Sequence, residues 1–181
     1  MGQVDYGTNC LACWGGLIFT NKEGFCEQIR LCERAMYSVA FSVLRNESDS
    51  AEVLSEAIYR AYKNLDSLKS ESAFKPWILR IVHNTAVEQI RKNAGVISME
   101  EISDPALYGT EERLTTILTL KDAVNSLKQP YRTAVILFYY ENLSVLKIAQ
   151  ITETTPAAVK KRLSRARNML KELLKEDFNN E

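Results

Sequence analysis

Residues 143–174 read LSVLKIAQITETTPAAVKKRLSRARNMLKELL, a short apolar helix, a polar turn and a long basic helix in unbroken succession. Ser144 can cap the first helix, whose apolar residues Leu146, Ile148, Ala149 and Ile151 leave one side free to pack inward. The pattern breaks at Thr152-Glu153-Thr154. It restarts at Thr155-Pro156, because the threonine oxygen can accept a free backbone N–H and proline sits at the first helical position without losing a hydrogen bond. Along the second helix Val159, Leu163, Ala166, Leu170 and Leu173 form a stripe that must be buried. The remaining faces carry Lys160, Lys161, Arg162, Arg165, Arg167, Lys171 and Lys175 against Glu172 alone. Two helices joined by a tight turn, the second one basic, are the geometry of a helix-turn-helix that enters the major groove of DNA. A solvated helix in a bundle would more usually mix charge signs on its outer face.

Upstream, Leu114 to Leu127 has helical spacing, and Pro130 opens another helix through Tyr140 that Asn142 can end in a left-handed cap. Residues 114–175 therefore read as a four-helix DNA-binding unit, with 176–181 as a tail. Before it, residues 95–113 change character: Gly, Pro and Ser appear, and Glu100, Glu101, Asp104, Glu111 and Glu112 stand against Arg113. This is an acidic flexible linker, long enough for its flanking domains to move independently.

Residues 25–94 hold three amphipathic helices. Phe25, Ile29, Cys32, Met36, Val39, Val43 and Leu44 keep helical spacing up to a stop at Arg45 to Asp49. Ser48 or Asp49 can cap a second helix with Val53, Leu54, Ala57, Ile58, Ala61, Tyr62 and Leu65 on its inner side. After the polar loop Asp66 to Ser72, a third helix from about Phe74 to Lys92 buries Trp77, Ile78, Ile81, Val82 and Ile90 and shows Arg80, His83, Asn84, Arg91 and Lys92. Short connections make one compact unit. The chain as a whole is expected to be all-α, two small helical domains on either side of the linker.

The 181 residues are 46% hydrophobic and 25% charged with formal net charge zero, an ordinary globular balance, so the basic helix is offset by acid elsewhere. Residues 1–24 form an extension of unknown role. Its apolar run Leu11 to Phe19 is too short to span a bilayer and no Lys or Arg precedes it, so a cytoplasmic protein is expected. Cys10 and Cys13 form a CxxC, with Cys26 and Cys32 beyond. Four thiols can hold zinc or form a redox pair, but in a helix pattern a thiol is more often a small buried hydrophobe. No metal or cofactor is expected.

Taken together these residues resemble the extracytoplasmic-function sigma factors of bacterial RNA polymerase, which consist of sigma regions 2 and 4 joined by a linker. The resemblance covers about Phe25 to Leu174. Leu127-Lys128-Gln129-Pro130-Tyr131-Arg132, Leu143-Ser144, Ile148-Ala149 and Val159 to Arg167 follow the family's region 4 pattern. Asp49 to Tyr62 is similar to the segment that docks on the polymerase clamp, with Glu56 on the family's glutamate. Phe74, Trp77, Ile78, Ile81, Asn84 and Arg91 fall on region 2 positions. There are departures. Ser55 replaces glutamine, Glu88 replaces aspartate, and Val145-Leu146 replace a polar pair. Glu153 stands where the turn often has glycine, at a cost of about 1–2 kcal/mol if its backbone is left-handed.

The resemblance implies a non-enzymatic protein without catalytic residues that binds core RNA polymerase and directs it to a class of promoters, commonly under an anti-sigma factor. Thr155, Lys160, Lys161, Arg162, Ser164, Arg165 and Arg167 would meet the minus-thirty-five element. Lys69, Ser70, Ser72, Arg80, His83, Asn84, Arg91 and Lys92 would meet the melted minus-ten element, where unstacked bases need a pocket and phosphates need cations. Glu52, Glu56 and Tyr59 would face the polymerase. Phe74 and Trp77 sit at inner helix positions that favour core packing over base stacking, and His83 also fits a plain surface residue.

A stand-alone helix-turn-helix regulator explains the second domain equally well but leaves the Asp49 to Arg91 motifs without a role. A cysteine-based zinc or redox sensor would rest on Cys10, Cys13, Cys26 and Cys32. Enzymatic readings lack a phosphate-cradling glycine loop and a nucleophile-base pair beyond the single histidine.

Overall fold

A computed structural model describes residues 22–94 and 120–178, and the described residues are helical with no strand among them. Cys10, Cys13, the acidic segment 95–113 and the start of the helix expected from Leu114 lie outside the described residues. Three long helices come first: α1 Lys22–Leu44, α2 Glu47–Lys63 and α3 Phe74–Ala94. Phe25, Cys32, Met36, Val39 and Val43 of α1 are buried against Val53, Ala57 and Ala61 of α2 and against Phe74, Ile78, Leu79, Val82 and Ala86 of α3. Arg45 ends α1 in a left-handed conformation, φ 55. The cap of α2 is Asn46, whose side-chain oxygen accepts from the Asp49 N–H at 3.1 Å, and not Ser48 or Asp49 as the sequence suggests. Those two residues lie inside the first turn, where Asp49 faces the positive end of the helix dipole.

The second group comprises α4 Leu120–Ser126, α5 Gln129–Val135 with a π-helical turn Ile136–Tyr140, α6 Val145–Ile151 and α7 Pro156–Phe178. Asn142, φ 53, provides the expected left-handed stop. Ser144 caps α6 by accepting from the Lys147 N–H at 3.3 Å, and Thr155 caps α7 by accepting from the Ala158 N–H at 3.2 Å. Ile148, Ala149, Ile151, Val159 and Leu163 are buried in one cluster, and Ala166 is buried against Val124, Leu127 and Val135 of the α4–α5 segment. Leu146 is not: it is 65% exposed, because burying Ile148 and Ile151, two and five residues on and on the opposite side of the helix, turns its own position outward.

The two groups do not stand apart, as a long linker led one to expect. α6 packs on α3, and α5 and the π-helical turn pack on α1. Ala134, Leu137, Leu143, Ile148 and Ile151 join the core of the first three helices in one continuous apolar cluster. The physical reason is that α1 and α3 each carry a second apolar strip, which three helices alone would leave in water.

Candidate nucleic-acid and polymerase surfaces

On α7 the buried stripe fixes the helix so that Lys160, Lys161, Ser164, Arg165 and Arg167 are exposed, while Arg162 is half-buried. Thr155 is exposed, with its hydroxyl engaged as the cap. The arginines are held loosely from below: Arg165 Nη1 lies 3.5 Å from the Tyr131 hydroxyl and Arg167 Nη1 lies 3.4 Å from the Tyr139 hydroxyl. A row of cations on one exposed helix face, behind a tight turn, is suited to phosphates and to base edges in a major groove.

Of the residues expected at a melted strand, Lys69, Ser70 and Ser72 are exposed on the loop before α3, where the two serine hydroxyls are 3.1 Å apart. Arg91 and Lys92 are exposed in the last turn of α3. Arg80 and Asn84 come together one turn apart, but both donate to Glu153 of the α6–α7 turn. His83 is not on display. It is 7% exposed, because α6 packs on α3, and burial holds its imidazole below the ordinary value. The Asn84 hydrogen bond and the Glu153 charge oppose that shift, and Arg162 adds to it. Ile90, expected inside, is 39% exposed, as the last turns of α3 run past the end of the packed bundle. The loop and α3 enclose a hollow of about 220 Å³ lined by Asn64, Ser67, Trp77, Arg80, Ile81 and Asn84. Trp77 donates from Nε1 to Ser67 Oγ at 3.2 Å, which ties one wall of this hollow to the loop. Asn64 and Ser67 were not among the expected residues. The N-terminal side of the polar loop was the only sequence signal for them.

On α2, Glu52, Glu56 and Tyr59 share one exposed face, as their spacing requires. Glu56 is partly committed, since Arg60 donates from Nε to its Oε1 at 2.7 Å and from Nη1 to Glu88 Oε2 at 2.7 Å. The hydrogen bonds to Glu88 and Glu56 raise the Arg60 pKa further, so the guanidinium is a fixed positive bridge between α2 and α3. Tyr62, expected on the inner side, is exposed and meets Phe25 edge-on, with centroids 5.7 Å apart.

In the sequence Arg132 is distinguished only as the last residue of the Leu127 to Arg132 motif. It is 4% exposed and donates from Nη1 to the Leu127 and Asn125 carbonyls at 2.6 and 3.1 Å and from Nε to the Ser42 carbonyl at 2.8 Å. Burial and the Arg45 charge lower its pKa to about 10, so it remains a cation at neutral pH. Cys26 is exposed and Cys32 buried, both free thiols, and burial pushes the Cys32 thiol up. Among the described residues no cluster of His, Cys, Asp and Glu could hold a metal ion, and no helix is long and apolar enough to cross a membrane.

Two family models match the chain: Sigma-70 region 2 over residues 29–96 and Sigma-70 region 4 over residues 117–170. The chain is 32% identical over 159 residues to the ECF RNA polymerase sigma-E factor of Escherichia coli, covering 77% of this chain and 82% of that protein. It is 29% identical over 143 residues to the RNA polymerase sigma factor SigV of Bacillus subtilis, covering 78% and 86%. Among solved structures it is similar to the sigma factor RpoE from Bartonella quintana, solved in complex with the anti-sigma factor NepR. The TM-score is 0.66 at 28% identity, over 86% of this chain and 99% of that one. CnrH, solved with the cytosolic domain of CnrY, shares the fold at TM-score 0.61 and 20% identity, over 87% of this chain and 92% of that one.

Proposed function

This chain belongs to the extracytoplasmic-function sigma factors of RNA polymerase, and on that footing we propose how its parts divide the work of bringing core polymerase to a promoter. Residues 25–94 act as region 2, residues 114–175 as region 4, and residues 95–113 connect them. The observation that carries this reading is the presence, in one chain and in family order, of a basic helix-turn-helix and a three-helix domain with its own hollow. A lone helix-turn-helix regulator has no use for the second.

In region 4, α7 enters the major groove of the minus-thirty-five element. Lys160, Lys161, Ser164 and Arg165 face bases and phosphates, Arg167 and Arg162 face flanking phosphates, and Thr155 stands at the helix N-terminus. In region 2, the hollow lined by Asn64, Ser67, Trp77, Arg80, Ile81 and Asn84 takes an unstacked base, and Lys69, Ser70 and Ser72, further along the same loop, meet the strand. Arg80, Asn84, Arg91 and Lys92 line the strand, and His83 supports them from beneath. Glu52, Glu56 and Tyr59 present the acidic, partly aromatic face that docks on polymerase. The protein does no covalent chemistry and carries no catalytic residue or cofactor; the polymerase supplies both. Its template and polymerase place it in the cytoplasm. The likeness to a sigma factor bound by an anti-sigma factor supports such an inhibitor as a further partner.

Gel filtration of the purified chain with core RNA polymerase tests the docking face. The wild type co-elutes, and Glu56→Arg, which reverses the charge at the centre of that face, co-elutes at least tenfold less well. Equal co-elution of both proteins refutes the assignment.

A further inference from the structure

Arg165 and Arg167, the exposed arginines on either side of the buried Ala166, each rest against a tyrosine from the α5 segment. Arg165 Nη1 donates to the Tyr131 hydroxyl at 3.5 Å and Arg167 Nη1 to the Tyr139 hydroxyl at 3.4 Å. We propose that Tyr131 and Tyr139 are positioning residues of the duplex-binding surface, which hold the two guanidiniums on opposite flanks of α7. There they are aimed at the two phosphate backbones that wall a major groove. This rests on the reading of α7 as the helix that enters the groove.

The placement follows from the periods of two helices. On α7, Ala166 is fully buried, so residues 165 and 167 point about 100° to either side of the line of contact. On the other helix Tyr131, Val135 and Tyr139 stand at steps of four, and Val135 shares one apolar cluster with Ala166, against which Tyr131 also packs. Eight residues of regular α-helix would carry Tyr139 about 80° off the line through Tyr131. The helix is not regular there. Ile136–Tyr140 is a π-helical turn, closed by the Glu141 N–H on the Ile136 carbonyl at 3.1 Å, and its larger number of residues per turn takes the drift back. One tyrosine therefore stands on each side of the contact with α7, under one arginine. Without that rare turn the second hydroxyl would swing away from Arg167.

A free arginine samples many rotamers, and ordering it when DNA binds opposes association. A phenol oxygen that accepts from one Nη restricts the side chain beforehand and leaves the other donors of the fork for phosphate oxygens. Both contacts lie at the long end of the hydrogen-bond range. They orient the guanidiniums without withdrawing them from the DNA.

The test uses the full-length chain bound to core RNA polymerase and a fluorescein-labelled duplex cut from a promoter at which that complex starts transcription. Phenylalanine keeps each ring and removes only the hydroxyl. Tyr131→Phe and Tyr139→Phe are each expected to weaken duplex binding about two- to fivefold, the range of one exposed hydrogen bond. A double-mutant cycle separates positioning from general support of the fold. In the Arg165→Ala chain, Tyr131→Phe should change nothing further, while Tyr139→Phe should still weaken binding by its full factor. Arg167→Ala should reverse that pattern. A loss as large without the partner arginine as with it overturns the proposal. If Arg165→Ala and Arg167→Ala bind the duplex as wild type does, the reading of α7 fails and the proposal falls with it. If they bind weakly while both tyrosine variants match wild type, the proposal falls alone.

Discussion

Arg132 donates from Nε to the backbone carbonyl of Ser42 at 2.8 Å, a bond between α5 and α1 across the seam of the two domains. The same guanidinium closes the C-terminal end of α4 through the Asn125 and Leu127 carbonyls, where a helix leaves acceptors unpaired and its dipole is negative. One side chain thus organises region 4 internally and attaches it to region 2. Arg132→Met keeps the apolar stem and removes the donors. It should destabilise the protein by about 2–3 kcal/mol in urea titrations, since buried carbonyls are left unpaired. A loss below about 0.5 kcal/mol would contradict this role.

Acid should loosen the protein. His83 is depressed by burial and Glu153 by donated hydrogen bonds, so each binds fewer protons folded than unfolded, and stability rises with pH where they titrate. The His83 contribution is complete above its ordinary value of 6.5 and is lost as pH falls below it. The Glu153 contribution is complete above 4.5 and is lost further down. Asn84, Glu153 and Arg162 are the groups facing His83. Urea midpoints at pH 7.5 and 5.5 should therefore drop more for wild type than for His83→Gln. Equal drops would remove His83 as the cause.

Arg165→Ala should weaken binding to a minus-thirty-five duplex about 5- to 100-fold in a mobility-shift titration and make the affinity less steep in salt, because a cation leaves the phosphate surface. An unchanged affinity and slope would take Arg165 off the DNA.

At the other domain, replacing Lys69, Ser70 and Ser72 together by alanine should reduce permanganate reactivity of the minus-ten bubble about tenfold while leaving co-elution with polymerase intact. Normal opening would exclude the loop.

The helices and the helix-turn-helix were legible because burial imposes a period on sequence: Val159, Leu163 and Ala166 could only face inward, and Ser144 and Thr155 carry the oxygens that caps need. What escaped was long-range. The burial of His83 depends on α6, whose docking on α3 is written in no local pattern. The same holds for Arg132, whose three carbonyl partners come from α1, α4 and the turn after α4, and for Glu153, which stands where the turn often has glycine and meets α3 only in the fold. Leu146 misled for a simpler reason: an apolar residue on the outer face of a short helix has the same letter as one on the inner face.

The most direct measurement is transcription in vitro over a genomic library, with purified core RNA polymerase with and without this chain and every RNA 5′ end mapped. The sigma-factor reading requires new start sites that appear only with the chain and share two upstream elements at fixed spacing, and that disappear with Glu56→Arg. Start sites that do not change when the chain is added would contradict it.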